Sequence, residues 1–260
     1  MRAENSLQTF VLYWVTILGA CTMGETAGDY LSFGLELGYG RSAVVLSLIL
    51  LTVLIVEARA QTQSEPRYWV TVIVMSTTGT AFADFITRTL ELGYAWGSAL
   101  LISVFVLIYV AERLYKSRRA AGPGRGGENV FDHVDENIKT VGIPRTDSFY
   151  WVSILVASTF GTTMGDFTSD VLGLGFGGGA LLLAALLLAV LIVDYRLKVA
   201  NVALYWTALV IASTIGATTG DFLTKPDALN LGYGVGSLIL ITVLAVIFFM
   251  RYRLASAQHA

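Results

Sequence analysis

Four aspartates in this sequence stand in one repeated setting. Asp29, Asp84, Asp166 and Asp221 each follow a tryptophan (Trp14, Trp69, Trp151 and Trp206) by fifteen positions. Seven residues before each aspartate is a threonine: Thr22, Thr77, Thr159 and Thr214. Eight before it come Cys21, Ser76, Ser158 and Ser213, and four before it Glu25, Thr80, Thr162 and Ala217. On an α-helix these offsets share the face of the aspartate, so each carboxylate crowns a track of polar side chains about 12 Å long. The candidate ligands are therefore Asp29, Glu25, Asp84, Asp166 and Asp221 with Thr22, Thr77, Thr159 and Thr214. This is a set of oxygen donors, which suits hard cations such as Mg2+, Ca2+, Mn2+ or Na+ and disfavours copper or zinc. The plainer use of the same residues is structural: Ser and Thr bond carbonyls of their own helix, and the aspartates cap the next turn.

The elements that must carry these residues are membrane spans. Hydrophobic residues make up 55% of the 260, charged ones 14%, and mean hydropathy is +0.68, far from an ordinary soluble domain. The apolar residues gather into eight nearly charge-free runs, roughly 9–28, 39–56, 66–83, 94–111, 148–165, 176–193, 203–220 and 233–250. Each is of the length that spans a bilayer as a helix, about 20 residues. Cys21 is the only cysteine, so no intrachain disulfide forms. The two histidines, His133 and His259, fall in a linker and a tail, against bis-histidine haem or a histidine-rich metal site. Arg2 before an apolar run imitates a signal peptide, but cleavage there would destroy a unit that recurs three more times.

That unit is the strongest feature of the chain. It reads YWVTILGACTMGETAGDYLSFGLELGYG from Tyr13, YWVTVIVMSTTGTAFADFITRTLELGYA from Tyr68, and YWVSILVASTFGTTMGDFTSDVLGLGFG from Tyr150. From Tyr205 it reads YWTALVIASTIGATTGDFLTKPDALNLGYG, with two extra residues before LGY. Repeats one and two start 55 residues apart, as do three and four, whereas 82 residues separate two from three. The excess is a charged, Gly-rich stretch, 115–147, which reads as a flexible cytoplasmic linker. It divides a first membrane half, 1–114, from a second, 148–260. Asp132, His133, Asp135 and Glu136 within it read as solvated linker residues rather than a metal cluster.

The YW start, the S-T-x-G step, the G-D-F and the L-G-Y together resemble a family of bacterial integral membrane proteins with four tandem two-helix repeats, each carrying a characteristic tryptophan. The resemblance covers all but the linker and tails and implies an architecture without an assigned activity. Ala83 replaces the glycine before Asp in repeat two, and Cys21 the serine in repeat one.

Fourteen of the seventeen Lys and Arg residues fall on the side of the termini and linker; only Arg41, Arg88 and Lys225 fall opposite. By the positive-inside rule that majority side is cytoplasmic. Two helices per repeat make all four repeats parallel. At helical rise each Asp lies about 22 Å outward of its Trp, with the Tyr-Trp pairs forming an inner aromatic belt and Tyr39, Tyr94, Phe176 and Tyr233 an outer one. The even spans are almost wholly apolar, as lipid-facing helices are. The odd ones carry Gly24/Gly28, Gly79/Ala83, Gly161/Gly165 and Gly216/Gly220, small pairs four apart that let helices approach closely. The expected fold is thus all-α and polytopic, with eight transmembrane helices, odd ones central and even ones peripheral. Inward of the hydroxyls the shared face turns apolar at Leu18, Ile73, Leu155 and Val210, before the tryptophans. This reads as an outer vestibule closed by an inner gate.

Two carboxylates about 6 Å apart at an effective dielectric near 20 repel by about 3 kcal/mol. A ring of ionised aspartates therefore needs protons or cations to neutralise it, and Arg88 and Lys225, four residues after Asp84 and Asp221, are the nearest fixed ones. Groups that hold either protons or a cation are the minimum for cation/proton exchange, so the leading expectation is a hard-cation transporter or exchanger in the bacterial inner membrane. Its expected partners are the lipid bilayer, an inorganic cation and protons. No organic cofactor, nucleic-acid partner or enzymatic activity is expected. An intramembrane aspartyl protease would resemble G-x-G-D at its catalytic acid, yet the residue three before Asp is Thr26, Ala81, Thr163 or Thr218. The third reading is a non-transporting membrane scaffold or sensor.

Overall fold

The computed structural model describes residues 2–120, 138, 142–197 and 202–258, and within them the chain is all helix and connecting turns. Most of the linker, including Asp132, His133, Asp135 and Glu136, lies outside the described residues, as does His259. Eight long helices follow one another: α1 (Arg2–Asp29), α2 (Gly38–Arg59), α3 (Glu65–Asp84), α4 (Gly93–Ala120), α5 (Ser148–Asp166), α6 (Gly175–Leu197), α7 (Val202–Thr224) and α8 (Tyr233–Gln258). Seven are long and apolar enough to cross a membrane, and α5 is the exception. Its 19 residues include Ser153, Ser158, Thr159, Thr162 and Thr163, all buried, so its polarity is turned into the protein rather than toward lipid. The protein is a multi-pass membrane protein with seven or eight spans arranged in repeats.

Local signals set the helix boundaries. Pro66 in the first turn of α3 has no amide hydrogen to waste there. Asp147 caps α5 by accepting the Tyr150 amide at 2.7 Å. Between the two helices of each repeat the chain turns through two left-handed residues flanking a leucine: Glu36 and Gly38, Glu91 and Gly93, Gly173 and Gly175, Asn230 and Gly232. Glycine takes positive φ freely, whereas Glu36 at 56° and Glu91 at 55° hold it against a steric cost of about 1–2 kcal/mol. In the first three repeats the aspartate leads directly into a five-residue π-helical turn, Tyr30–Gly34, Phe85–Thr89 and Phe167–Val171. Repeat four, with its two extra residues, keeps α-helix to Thr224 instead.

α1 packs on α3, α3 on α5, α5 on α7 and α7 back on α1, a closed circuit in chain order. Each second helix packs chiefly on the first helix of the next repeat: α2 on α3, α4 on α5, α6 on α7, and α8 on α1. The spans of α3 and α7 have 67% of their residues buried, those of α4 and α6 only 11%. Small residues make the circuit possible. A Cβ added to Gly24, Gly79, Gly161 or Gly216 would come within 2.3–2.7 Å of Ser76, Ser158, Ser213 or Cys21 on the next helix, distances no real contact shows. The polar residues eight before each aspartate are therefore pressed into helix seams.

Candidate cation site

The N-terminal ends of α3, α5 and α7 and the middle of α1 meet through their tyrosines. Tyr13 bonds Tyr68 at 2.9 Å, Tyr68 bonds Tyr150 at 2.7 Å, Tyr150 bonds Tyr205 at 2.8 Å and Tyr205 bonds Tyr13 at 2.7 Å. Four hydroxyls, each able to donate once and accept once, thus satisfy one another in a closed ring where water does not reach; all four side chains are buried. An aromatic belt at the lipid headgroups was the expectation for these residues, and the structure corrects it. Each tryptophan packs on the preceding tyrosine in the circuit, Trp69 on Tyr13, Trp151 on Tyr68, Trp206 on Tyr150 and Trp14 on Tyr205, at centroid distances of 5.6–5.8 Å. Trp69 and Trp206 also meet Phe248 of α8 and Phe105 of α4. The indoles of Trp69 and Trp206 therefore fill seams between odd- and even-numbered helices, while the tyrosine hydroxyls meet one another around the circuit.

At the C-terminal ends of the same helices the acids gather. Glu25 of α1 reaches across the circuit: its Oε2 accepts from Thr80 of α3 at 3.0 Å and from Thr162 of α5 at 2.8 Å. It stands there because Gly220 of α7 leaves room, for a Cβ on that glycine would lie 2.8 Å from the Cβ of Glu25. The Glu25 side chain thus meets α3, α5 and α7. Glu25, Asp29 and Asp221, each buried, can offer oxygens that all lie within 4.8 Å of one another. The remaining two aspartates belong to a different pairing. Arg88 binds Asp84 through Nε at 2.9 Å and Asp166 through an Nη at 3.0 Å. Its guanidinium lies 5.8 Å from the ring of Tyr39 and 5.9 Å from that of Tyr94, so two of the expected outer-belt aromatics hold a cation over the bundle end.

Lys225 binds Oδ2 of Asp221 at 2.6 Å and lies 5.0 Å from the ring of Phe176. Burial by itself would lower its pKa, but Asp221, Asp166 and Asp29 more than reverse this and hold the ammonium above the usual lysine range. The other oxygen of Asp221, Oδ1, is buried and has no hydrogen-bond partner among the described residues. The position four after Asp29, where Arg88 and Lys225 stand in repeats two and four, is Phe33. Thr22, Thr77, Thr159 and Thr214 each donate to the carbonyl four residues back, at 2.8–2.9 Å. Their hydrogens are thus used within their own helices.

Sequence reasoning placed Thr80 and Thr162 on the polar face but outside the ligand set; their role as the partners of Glu25 needed the circuit. The bridging role of Arg88 was half visible, since the i+4 spacing gives Asp84 but nothing local gives Asp166.

The model of a family described as Repeat of Unknown Function (DUF347) matches the chain four times, over residues 12–63, 67–118, 149–200 and 204–256. The chain belongs to that family. The four DUF347 matches coincide with the four repeats read from the tyrosine-tryptophan starts, and each takes in one odd- and one even-numbered helix. Neither the curated proteins nor the solved structures contain a match.

Proposed function

We propose that this protein is a transporter or exchanger of a hard cation, divalent (Mn2+, Mg2+ or Ca2+) or Na+, across the bacterial inner membrane. The observation that carries the reading is the convergence of Glu25, Asp29 and Asp221 in a buried site where the inner helices meet. Three buried carboxylates this close repel one another unless a cation or protons sit among them. Intramembrane acids are costly enough to mark functional sites. Oxygen donors from three residues, with Thr80 and Thr162 orienting one of them, match the preferences of hard ions. On this reading Asp84 and Asp166 shape the field of the vestibule, and Thr22, Thr77, Thr159 and Thr214 line the way inward.

The supporting architecture is four parallel repeats, inner helices α1, α3, α5 and α7 surrounded by α2, α4, α6 and α8, with both termini and the 115–147 linker cytoplasmic between membrane halves 1–114 and 148–260. The tyrosine ring takes the part of the inner gate: it closes the bundle at the end away from the acids, and an ion leaving that way has to part it. Exchange follows if protons replace the ion on the carboxylates between turnovers. The test is ion flux into liposomes holding the purified protein, across Mn2+, Ca2+, Mg2+ and Na+, for wild type and E25Q/D29N. Wild type carries at least one ion and the double variant carries none while remaining folded. Equal behaviour of the two proteins in every ion returns the acids to a structural role and favours a scaffold.

A further inference from the structure

The two resident cations of the same site are unevenly placed. Arg88 spans Asp84 and Asp166 with two nitrogens while its guanidinium also lies over the rings of Tyr39 and Tyr94. A planar fork anchored this way is a fixed bridge. Lys225 is different. It is a point charge on a flexible stem, with one direct partner, and its side chain keeps 20% of its surface exposed. It has a way out. It also stands in the one repeat that lacks the π-helical turn after its aspartate, at a position held by Phe33, Arg88 and Asp170 in the other three. Among the described residues, Lys225 is thus the cation paired with the Glu25, Asp29 and Asp221 group, and Asp221 keeps a buried Oδ1 without a hydrogen-bond partner beside the oxygen that Lys225 occupies.

Resting on the cation site above, we propose that Lys225 is a tethered competitor for the ion, and that by occupying Asp221 it makes the site select divalent over monovalent cations. A tethered group acts at an effective concentration that a free ion has to match, in the millimolar range for short flexible links. A monovalent ion brings the same charge as the ammonium without the tether, so exchanging one for the other gains nothing. A divalent ion doubles the attraction to all three carboxylates, displaces the ammonium toward Phe176 and the surface, and uses the open Oδ1 as well. Lys225 leaves as the charged amine; no proton moves. Arg88, pinned at two carboxylates, does not compete and keeps Asp84 and Asp166 out of the ligand set. The site thus belongs to the α7–α1 side of the circuit, with Glu25 reaching in from the middle.

Full-length protein in detergent micelles, titrated with MnCl2, CaCl2 and NaCl while thermal stability and bound ion are read, tests this directly. The proteins are wild type, K225Q, K225M, K225R and E25Q/D29N. K225Q and K225M lower the half-saturating Mn2+ concentration about tenfold and gain a stabilisation by Na+ that wild type lacks. K225R, which restores the charge, restores the preference for divalent ions. K225Q keeps a hydrogen bond to Asp221, so it carries the test if K225M does not insert. If K225Q and K225M fold but show the wild-type Mn2+ curve and no Na+ response, while E25Q/D29N still abolishes the wild-type response, the competitor role is wrong and the cation site stands. Wild type indifferent to every ion overturns both.

Discussion

Removing one hydroxyl from the tyrosine ring tests whether the four groups act as a unit. Tyr13→Phe deletes the bonds to Tyr68 and Tyr205, at 2.9 and 2.7 Å, and leaves an open chain of three hydroxyls. At about 1 kcal/mol net per bond, the cost is about 2 kcal/mol. Tyr13 and Tyr150 are opposite members, so Y13F/Y150F removes all four bonds and leaves the hydroxyls of Tyr68 and Tyr205 with no ring partner. Four lost bonds set that cost at about 4 kcal/mol, with the desolvation of two stranded hydroxyls adding to it. The fourfold replacement Y13F/Y68F/Y150F/Y205F breaks the same bonds but strands nothing, and replacing all partners by apolar groups of the same shape is nearly neutral, about 1 kcal/mol. Stability therefore falls from wild type to the single variant, falls further in the opposite pair, and recovers in the quadruple. Denaturant unfolding followed by tryptophan fluorescence suits the measurement, because each indole packs on one of these tyrosines. A loss that grows in proportion to the number of hydroxyls removed would refute a closed hydrogen-bonded ring.

Two further outcomes follow. Gly161→Ala places a methyl 2.5 Å from the Cβ of Ser213 and 2.8 Å from its backbone carbon, so α5 and α7 must part and stability drops by about 2–3 kcal/mol. Gly178→Ala meets nothing nearer than Leu174 Cβ at 3.8 Å and should change the melting temperature little; equal losses for the two would show that the seam is not packed as described. Reporter fusions at Gly126 and after Ser256 should both read cytoplasmic, and a periplasmic signal at Gly126 would invert the orientation and place the acids at the inner face.

The repeat, the helical class and the membrane setting were legible without coordinates because each depends on short-range pattern. A run of apolar residues of bilayer length, or a Trp and an Asp fifteen positions apart, keeps its meaning wherever the neighbours lie. So did the crowding of small residues, since two glycines four apart describe one helix face. The turn at Glu36-Leu37-Gly38 and its three counterparts was present as a repeated L-x-L-G, though the left-handed glutamates were not foreseeable from composition. What the linear pattern lacked was the order of the helices around the bundle. Every repeat offers the same face, so equivalence along the chain does not say whether that face meets a cavity, a neighbour or the axis. The circuit decides it: residues eight before each aspartate go into seams against glycine, the tyrosines close on one another, and the tryptophans take the gaps behind them. Equivalence along the chain also hid the asymmetry that matters for chemistry. Glu25, Arg88 and Lys225 are single departures from a fourfold pattern, and they acquire roles by contact with other repeats. Thr80 and Thr162 bind Glu25, Asp166 shares Arg88 with Asp84, and Asp29 joins Asp221 across the α1–α7 seam. Those are distances through space between residues far apart in the chain, set by the packing of helix on helix, and no local periodicity encodes them.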